Sequence, residues 1–474
     1  MRQALSALAL AASLSVLGAA HAQSPAALKA SQPAFRELFE EMIEIDSSMA
    51  TGSCTKVVEA SMKRLKAAGY TDEDAMLIIP EGKPDDGNIV AWIKGADASA
   101  KPILALAHID VVNAKRSDWE RDPFTLFEEN GFFYGRGVMD DKSMSAIFLD
   151  MMVRMKTEGF KPQRTLKMAL TCGEEGGGRV NGVGYILEKH KGLIDDAAFA
   201  INEGAGGLLS PSGKPLALTL QAGEKIATSI TFEVTNPGGH SSRPLPENAI
   251  YRLSAALKKA RAHQFPIEMT PVVQSYFERI GPIVGGDMGK AMSVLGKDPT
   301  NEAALKTVTS EPSYNAILRT TCIPTLMDAG HAPNALPQKA LATFSCRIMQ
   351  GTTPEQVADV LREVVNDPQV TVSPPPPRDA SSKAPALTDE IMAPVRKTAA
   401  RMWPGATIAP MLTAGATDGR RMMAAGVPTY GMSGIFAVPG EDNIHGLNEK
   451  VRVKSMYEGR EFLDSVMRAY VGGK

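Results

Sequence analysis

Two histidines, His108 and His445, and six acids, Asp110, Asp140, Asp141, Glu174, Glu175 and Glu203, are the residues whose types and spacing could do chemistry in this 474-residue chain. The chain has only seven His and four Cys, so a metal site must draw on few donors. Three apolar runs end in such residues. Residues 103–107 run into His108-Ile109-Asp110, residues 166–171 into Glu174-Glu175, and residues 197–201 into Glu203. In open α/β sheets, sites sit beyond the carboxyl ends of the strands. Asp140-Asp141 follows the turn Gly135-Arg136-Gly137 and opens a helix. Singly, each has an ordinary reading: a hydrogen-bonded core His, a solvated Glu pair, an Asp helix cap. Together they resist that reading, because gathered carboxylates repel one another and oppose desolvation unless a cation offsets them. Arg136 and Lys142 are the nearby cations; a divalent metal is the economical answer. Imidazole nitrogen with carboxylate oxygen suits Zn2+. Two His and three carboxylates hold two ions if one carboxylate bridges, with the ions about 3.5–4 Å apart. Asp110 lies two residues beyond His108 on an extended segment. It points the same way and can accept the other ring N–H, fixing the tautomer.

These residues need a frame to position them. Helical spacing covers residues 34–45, 55–68 and 143–156, and residues 88–93, 103–107, 166–171 and 197–201 read as buried strands. That alternation predicts an α/β catalytic domain with a mixed, largely parallel sheet flanked by helices. The pattern changes near Gln221. Residues 225–235 and 340–348 alternate as half-exposed strands, 248–262 and 354–366 are helical, and 370–372 is a short strand. This predicts an inserted α+β unit, ferredoxin-like, with two helices and four strands and one polar sheet face. Residues 269–315 fit neither unit. Pro374 to Pro377 open a stiff linker, and helices return at 390–402, 419–425 and 451–471. The expected division is 1–22 signal peptide, 23–220 catalytic, 221–376 inserted lid and dimerisation unit, and 377–474 linker and second catalytic part.

Composition sets the wider limits. Hydrophobic residues at 44% and charged residues at 22% exclude wholesale disorder. A formal charge of -2 and 6% aromatics argue against nucleic-acid binding. Residues 4–20 form an uncharged Ala/Leu/Ser/Val run before Ala20-His21-Ala22, which fits a signal peptide cut after Ala22. The expected location is secreted or periplasmic, without membrane attachment after cleavage; an uncleaved anchor is the alternative. No later stretch approaches a membrane span. The cysteine spacing argues against a four-cysteine zinc site. Cys322 and Cys346 flank a hairpin-like segment and are candidates to pair; the other reading is four small buried hydrophobes.

Six ordered motifs resemble the M20 family of di-zinc metallopeptidases over essentially the whole mature chain. They are 106–110 (Leu-Ala-His-Ile-Asp), 135–142 (Gly-Arg-Gly-Val-Met-Asp-Asp-Lys), 171–175 (Thr-Cys-Gly-Glu-Glu), 202–204 (Asn-Glu-Gly), 238–242 (Gly-Gly-His-Ser-Ser) and 445–449 (His-Gly-Leu-Asn-Glu). The resemblance implies one zinc held by His108, Asp140 and Glu203. A second would be held by Asp140, Glu175 and His445, with Asp140 bridging and a cis peptide after it. Cobalt or manganese can replace zinc in such sites. Glu174 would be the general base, taking a proton from the attacking water and returning it to the leaving amine. His240 matches a lid histidine that stabilises the oxyanion, often in the partner subunit's site. Asn334 and Arg347 would grip a substrate carboxylate. Thr417, Asp418 and Arg420 occupy a Gly-x-Thr-Asp segment near the pocket. A homodimer through the inserted unit is a family expectation. His190 and His263, in Lys-rich helical surroundings, read as solvated, and His331 lies near Asn334. Glu203 in place of Asp tilts the substrate toward a small peptide or N-acyl amino acid with a free carboxylate. A dipeptidase or aminopeptidase with the same metals is the alternative, and a non-catalytic binder would need a broken site. A serine-hydrolase reading lacks its Gly-x-Ser-x-Gly turn.

Overall fold

The computed structural model describes residues 25–176, 178–375 and 384–473. Residues 1–22, expected to be a signal peptide, and residues 376–383, expected to be linker, lie outside the described residues.

Strands Ile103–His108, Leu166–Thr171 and Phe199–Asn202 are buried along their whole length, because helices cover both faces of their sheet. They pair in parallel, Ile103 opposite Leu166 and His108 opposite Thr171, with Phe199 opposite Ile103 on the other side. Thr429–Gly431 extends the parallel set beside Phe199–Asn202. Their carboxyl ends therefore share one edge. Asn88–Ile93 and Ala75–Ile78 add antiparallel partners, so the ten-stranded sheet is mixed.

Helix Lys142–Thr157 is almost wholly buried against one face, packed with Gln32–Glu44, Cys54–Ala67, Asp389–Met402 and Val453–Val471. Gly182–Lys189 and Gly419–Ala424 cover the other face. The expected C-terminal helix starts late: Lys450–Arg452 is a strand against Phe132–Tyr134 before the helix begins at Val453.

A second sheet holds four antiparallel strands in the order Thr321–Ala329, Lys339–Ile348, Ile226–Thr235, Val370–Ser373. Alternate residues of Lys339–Ile348 are buried, facing helices Ala249–Ala262 and Pro354–Val365. Each helix begins where the sequence supplies a side-chain acceptor. Asn248 accepts from Tyr251 N–H, and Thr353 exchanges bonds with Gln356.

Residues 269–315, unassigned by sequence, open a set of four short helices: Pro271–Val284, Gly286–Leu295, Glu302–Thr309 and Pro312–Leu318. They pack on strands Pro215–Glu224 and Thr407–Thr413. The first two cross so closely that a Cβ on Gly289 would strike the carbonyl of Gly281. Both cysteine pairs are disulfides, Cys322–Cys346 and also Cys54–Cys172, which overturns the buried-hydrophobe reading. Among the described residues, no helix is long and apolar enough to cross a membrane.

Candidate metal centre

His108 ends its strand and is 2% exposed. Its Nε2 lies 3.0 Å from Asp140 Oδ1 and 3.6 Å from Glu203 Oε1. His445 Nε2 lies 3.1 Å from Asp140 Oδ2 and 3.0 Å from Glu175 Oε1. Asp140 thus turns one oxygen to each imidazole, with a further acid beyond each ring. Donor atoms of His108, Glu174 and Glu203, and of His108, Asp140 and Glu175, lie within 4.8 Å of one another in each set. The Asp140–Asp141 peptide is cis.

The mounts are hydrogen-bonded in detail. His108 Nδ1 donates to the main-chain oxygen of Asp110 at 3.0 Å, while the Asp110 carboxylate stands 3.6 Å away. That carboxylate instead accepts the N–H groups of Glu174 and Glu175 at 3.2 and 3.1 Å. Asp110 therefore orients the ring through its backbone and the acid pair through its side chain, where the sequence predicted a carboxylate contact to the ring. Glu449 accepts from the N–H groups of Gly137, Met139 and Asp140 and pairs with Arg136 at 2.6 Å. Arg136 Nη2 also donates to Gly446 O at 2.8 Å, which joins the Asp140 turn to the His445 loop. His445 itself has φ 62°, between left-handed Asn443 and Asn448.

The local cations serve elsewhere. Arg136 is matched to Glu449, and the buried Lys142 Nζ donates to Met42 O and Ile45 O at 2.8 and 2.7 Å. Burial lifts Glu174 well above the carboxylate range, and burial plus the charges of Asp140 and Glu174 does the same to Glu203. Burial opposes charging His108, but the charge of Glu203, the nearby Asp110 carboxylate and the hydrogen bond to Asp140 raise it well above its ordinary value. Hydrogen bonds to Asp140 and Glu175 push His445 up to about 10. Asp140 goes the other way: burial opposes its ionisation, but hydrogen bonds from the two histidines hold it below its ordinary value. These shifts raise the proton affinity of both imidazoles, Glu174 and Glu203, and a divalent cation bound there competes for the same sites. The donor chemistry fits the metal. Beside the cluster lies a cavity of about 230 Å³, walled by Met139, Met144, Ala205, Ile435 and Ile444, with Asp140 and Glu203 also lining it.

The other sequence-predicted residues fall into two places. Thr417 is buried, its Oγ1 donating to Glu224 at 2.9 Å and accepting from Asn202 Nδ2 at 3.1 Å, so its hydroxyl is committed inside the protein. Arg420 lies in the helix that follows, near the charge of Glu224. In the inserted unit, Gly239–His240 pairs with Ala335–Leu336, which sets His240 beside Asn334. Both are exposed; His240 Nδ1 accepts from Ser242 N–H, and Asn334 O accepts from Ser241 N–H. Arg347 is half-buried on Lys339–Ile348, 3.5 Å from Ser345 Oγ. Among the described residues, no hydrogen bond or ion pair joins His240, Asn334 or Arg347 to the acid cluster. His263 is half-buried with its ring edge-on to Phe265 at 4.8 Å, not solvated. Sequence reasoning gave no role to Glu449, although it closes the last motif, nor to Glu224, which stands in no motif.

The family profile "Peptidase family M20/M25/M40" matches residues 104–469. The N-fatty-acyl-amino acid synthase/hydrolase PM20D1 of Xenopus tropicalis is 30% identical over 373 residues, covering 76% of this chain and 70% of its own length. The probable carboxypeptidase S-like 2 of Dictyostelium discoideum is 29% identical over 378 residues, with 76% and 70% covered. The solved M20 family metallo-carboxypeptidase Sso-CP2 from Sulfolobus solfataricus superposes with a TM-score of 0.66 at 19% identity, covering 92% of this chain and 99% of its own. The chain belongs to the M20 peptidase family. It is a hydrolase acting on C–N bonds.

Proposed function

We propose that this chain is an exported two-metal amidohydrolase that cleaves an amide next to a free carboxylate, as a carboxypeptidase or an N-acyl amino acid hydrolase. The observation that carries the reading is Asp140, whose two oxygens each face one imidazole. His108, Asp140 and Glu203 would hold one zinc, and Asp140, Glu175 and His445 the other. Bound there, the metal pair supplies Lewis-acid polarisation and lowers the pKa of water. Glu174, its N–H fixed by Asp110, takes a proton from the attacking water on its carboxylate and hands it to the leaving amine. His240 supplies a donor to the developing oxyanion, and Arg347 with Asn334 grips the substrate carboxylate.

The printed names of the relatives, a fatty-acyl-amino acid hydrolase and carboxypeptidases, support this substrate class. Two disulfides support export, because such bonds persist in oxidising compartments. A homodimer would form along strand Thr321–Ala329, an edge strand exposing Ile323, Leu326 and Met327 at 61%, 68% and 67%. The test is metal content together with hydrolysis of N-acyl amino acids and free dipeptides, before and after chelation. Two metals per chain and chelator-reversible cleavage of N-acyl substrates are expected. Turnover of dipeptides alone would make it a dipeptidase, and a chain that binds no metal would overturn the reading.

A further inference from the structure

Glu224 lies outside every motif and ends strand Pro215–Glu224, one residue before the chain leaves the large sheet for the inserted unit. We propose that Glu224 is a positioning residue that ties this junction to the metal ligand Glu203 through Thr417 and Asn202. The proposal rests on the metal-centre reading given above.

Each link is a short hydrogen bond. Glu224 Oε2 accepts the Thr417 N–H at 2.8 Å and the Thr417 hydroxyl at 2.9 Å. With its proton committed to Glu224, Thr417 Oγ1 presents a lone pair to Asn202 Nδ2 at 3.1 Å. Asn202 is buried and immediately precedes Glu203. The next residue, Asp418, accepts from Thr171 Oγ1 at 3.1 Å and from Asn181 Nδ2 at 2.6 Å. Thr171 ends the strand that delivers Glu174 and Glu175. The dipeptide 417–418 therefore spans two acid-bearing strand ends, and Glu224 holds the dipeptide.

The opposite side of the same corner is fixed to the insertion. Lys225 N–H donates to Thr413 O at 3.0 Å, and its Nζ donates to Ala316 O and Arg319 O at 2.6 Å each. Glu224 is buried, and its Oε1 has no hydrogen-bond partner among the described residues. A buried acid with one unmatched oxygen is a costly way to fill space. Its use lies in the paired bonds of Oε2, which need an acceptor oxygen rather than a charge. Burial holds this carboxyl up at about 7, in keeping with that use.

The test compares E224A, E224Q and T417V with the unaltered full-length chain. The readouts are zinc affinity by competition with a chromophoric chelator, kcat and KM on an N-acyl amino acid, and the melting temperature. Removing a partner that orients a ligand typically weakens metal affinity about 10- to 100-fold. That loss is expected for E224A and T417V, with kcat falling in parallel and KM within about two-fold. E224Q keeps an acceptor oxygen and is expected to restore affinity to within about three-fold. If E224A does not fold, T417V and E224Q decide. Folded variants with unchanged zinc affinity overturn the positioning role, as does a rise in KM alone. An unaltered chain that binds no zinc overturns the metal-centre reading instead.

Discussion

The acid-rich edge of the large sheet and the His240–Asn334 pair of the inserted unit are built in opposite ways. At the edge, every functional group is held from behind. Asp110 fixes the Glu174 and Glu175 amides, Glu449 fixes the Asp140 turn, and Arg136 joins that turn to the His445 loop. In the inserted unit, His240 sits on a two-residue ladder and is exposed, and among the described residues its ring bonds only to nearby Ser242. A set of ligands that shares cations needs fixed geometry, because a ligand left free to move weakens the site. A group that meets the substrate only during reaction needs reach more than rigidity.

The comparison breaks first at Glu174. Glu174→Ala should lose about 10³-fold or more in kcat while metal content stays at the unaltered level, since a general base contributes typically 10²–10⁴-fold. Near-normal turnover would move the base elsewhere. His240→Ala is expected to lower kcat about 10²-fold, the scale for one oxyanion donor, without changing metal affinity or melting temperature. A loss of metal in that variant would erase the distinction between the two regions. Asp110→Ala sharpens it from the other side. It should weaken metal affinity by about 10- to 100-fold, measured by chelator competition, through slack in the Glu174–Glu175 turn.

A separate prediction concerns pH. Glu224 has an ordinary value of 4.5 and is held at about 7 by burial. A raised folded-state pKa contributes stability in full below the unfolded pKa and loses it as pH rises through the folded one. Unaltered protein should therefore lose stability relative to Glu224→Gln between pH 4.5 and 7, by on the order of 3 kcal/mol. Denaturant titration of both at several pH values reads the difference, and a constant gap would show that Glu224 does not change its charge preference on folding.

The strand-borne part of the site was legible because a strand buried on both faces is apolar throughout, so His108, Glu174 and Glu203 stand out at its end. His445 was legible as one of few histidines, but no strand or helix pattern placed it beside the acids. It sits on a left-handed turn with no period of its own, and the motif resemblance assigned its partners. The mounts were hidden by distance along the chain. Arg136 meets Glu449 across 313 residues, and Thr417 meets Glu224 across 193. The four helices from Pro271 to Leu318 are seven to fourteen residues long and broken by Gly and Pro, too short for one clear period.

The Cys54–Cys172 bond has a bearing on when the protein comes to life. Cys172 stands two residues before Glu174 and is bolted to the first turn of helix Cys54–Ala67, 118 residues upstream. Among reducing thiols that tie would be open, and the Glu174 turn would rest on hydrogen bonds such as those to Asp110 and Asn88. An oxidising compartment closes it, so the acid pair gains its covalent brace only where such bonds persist.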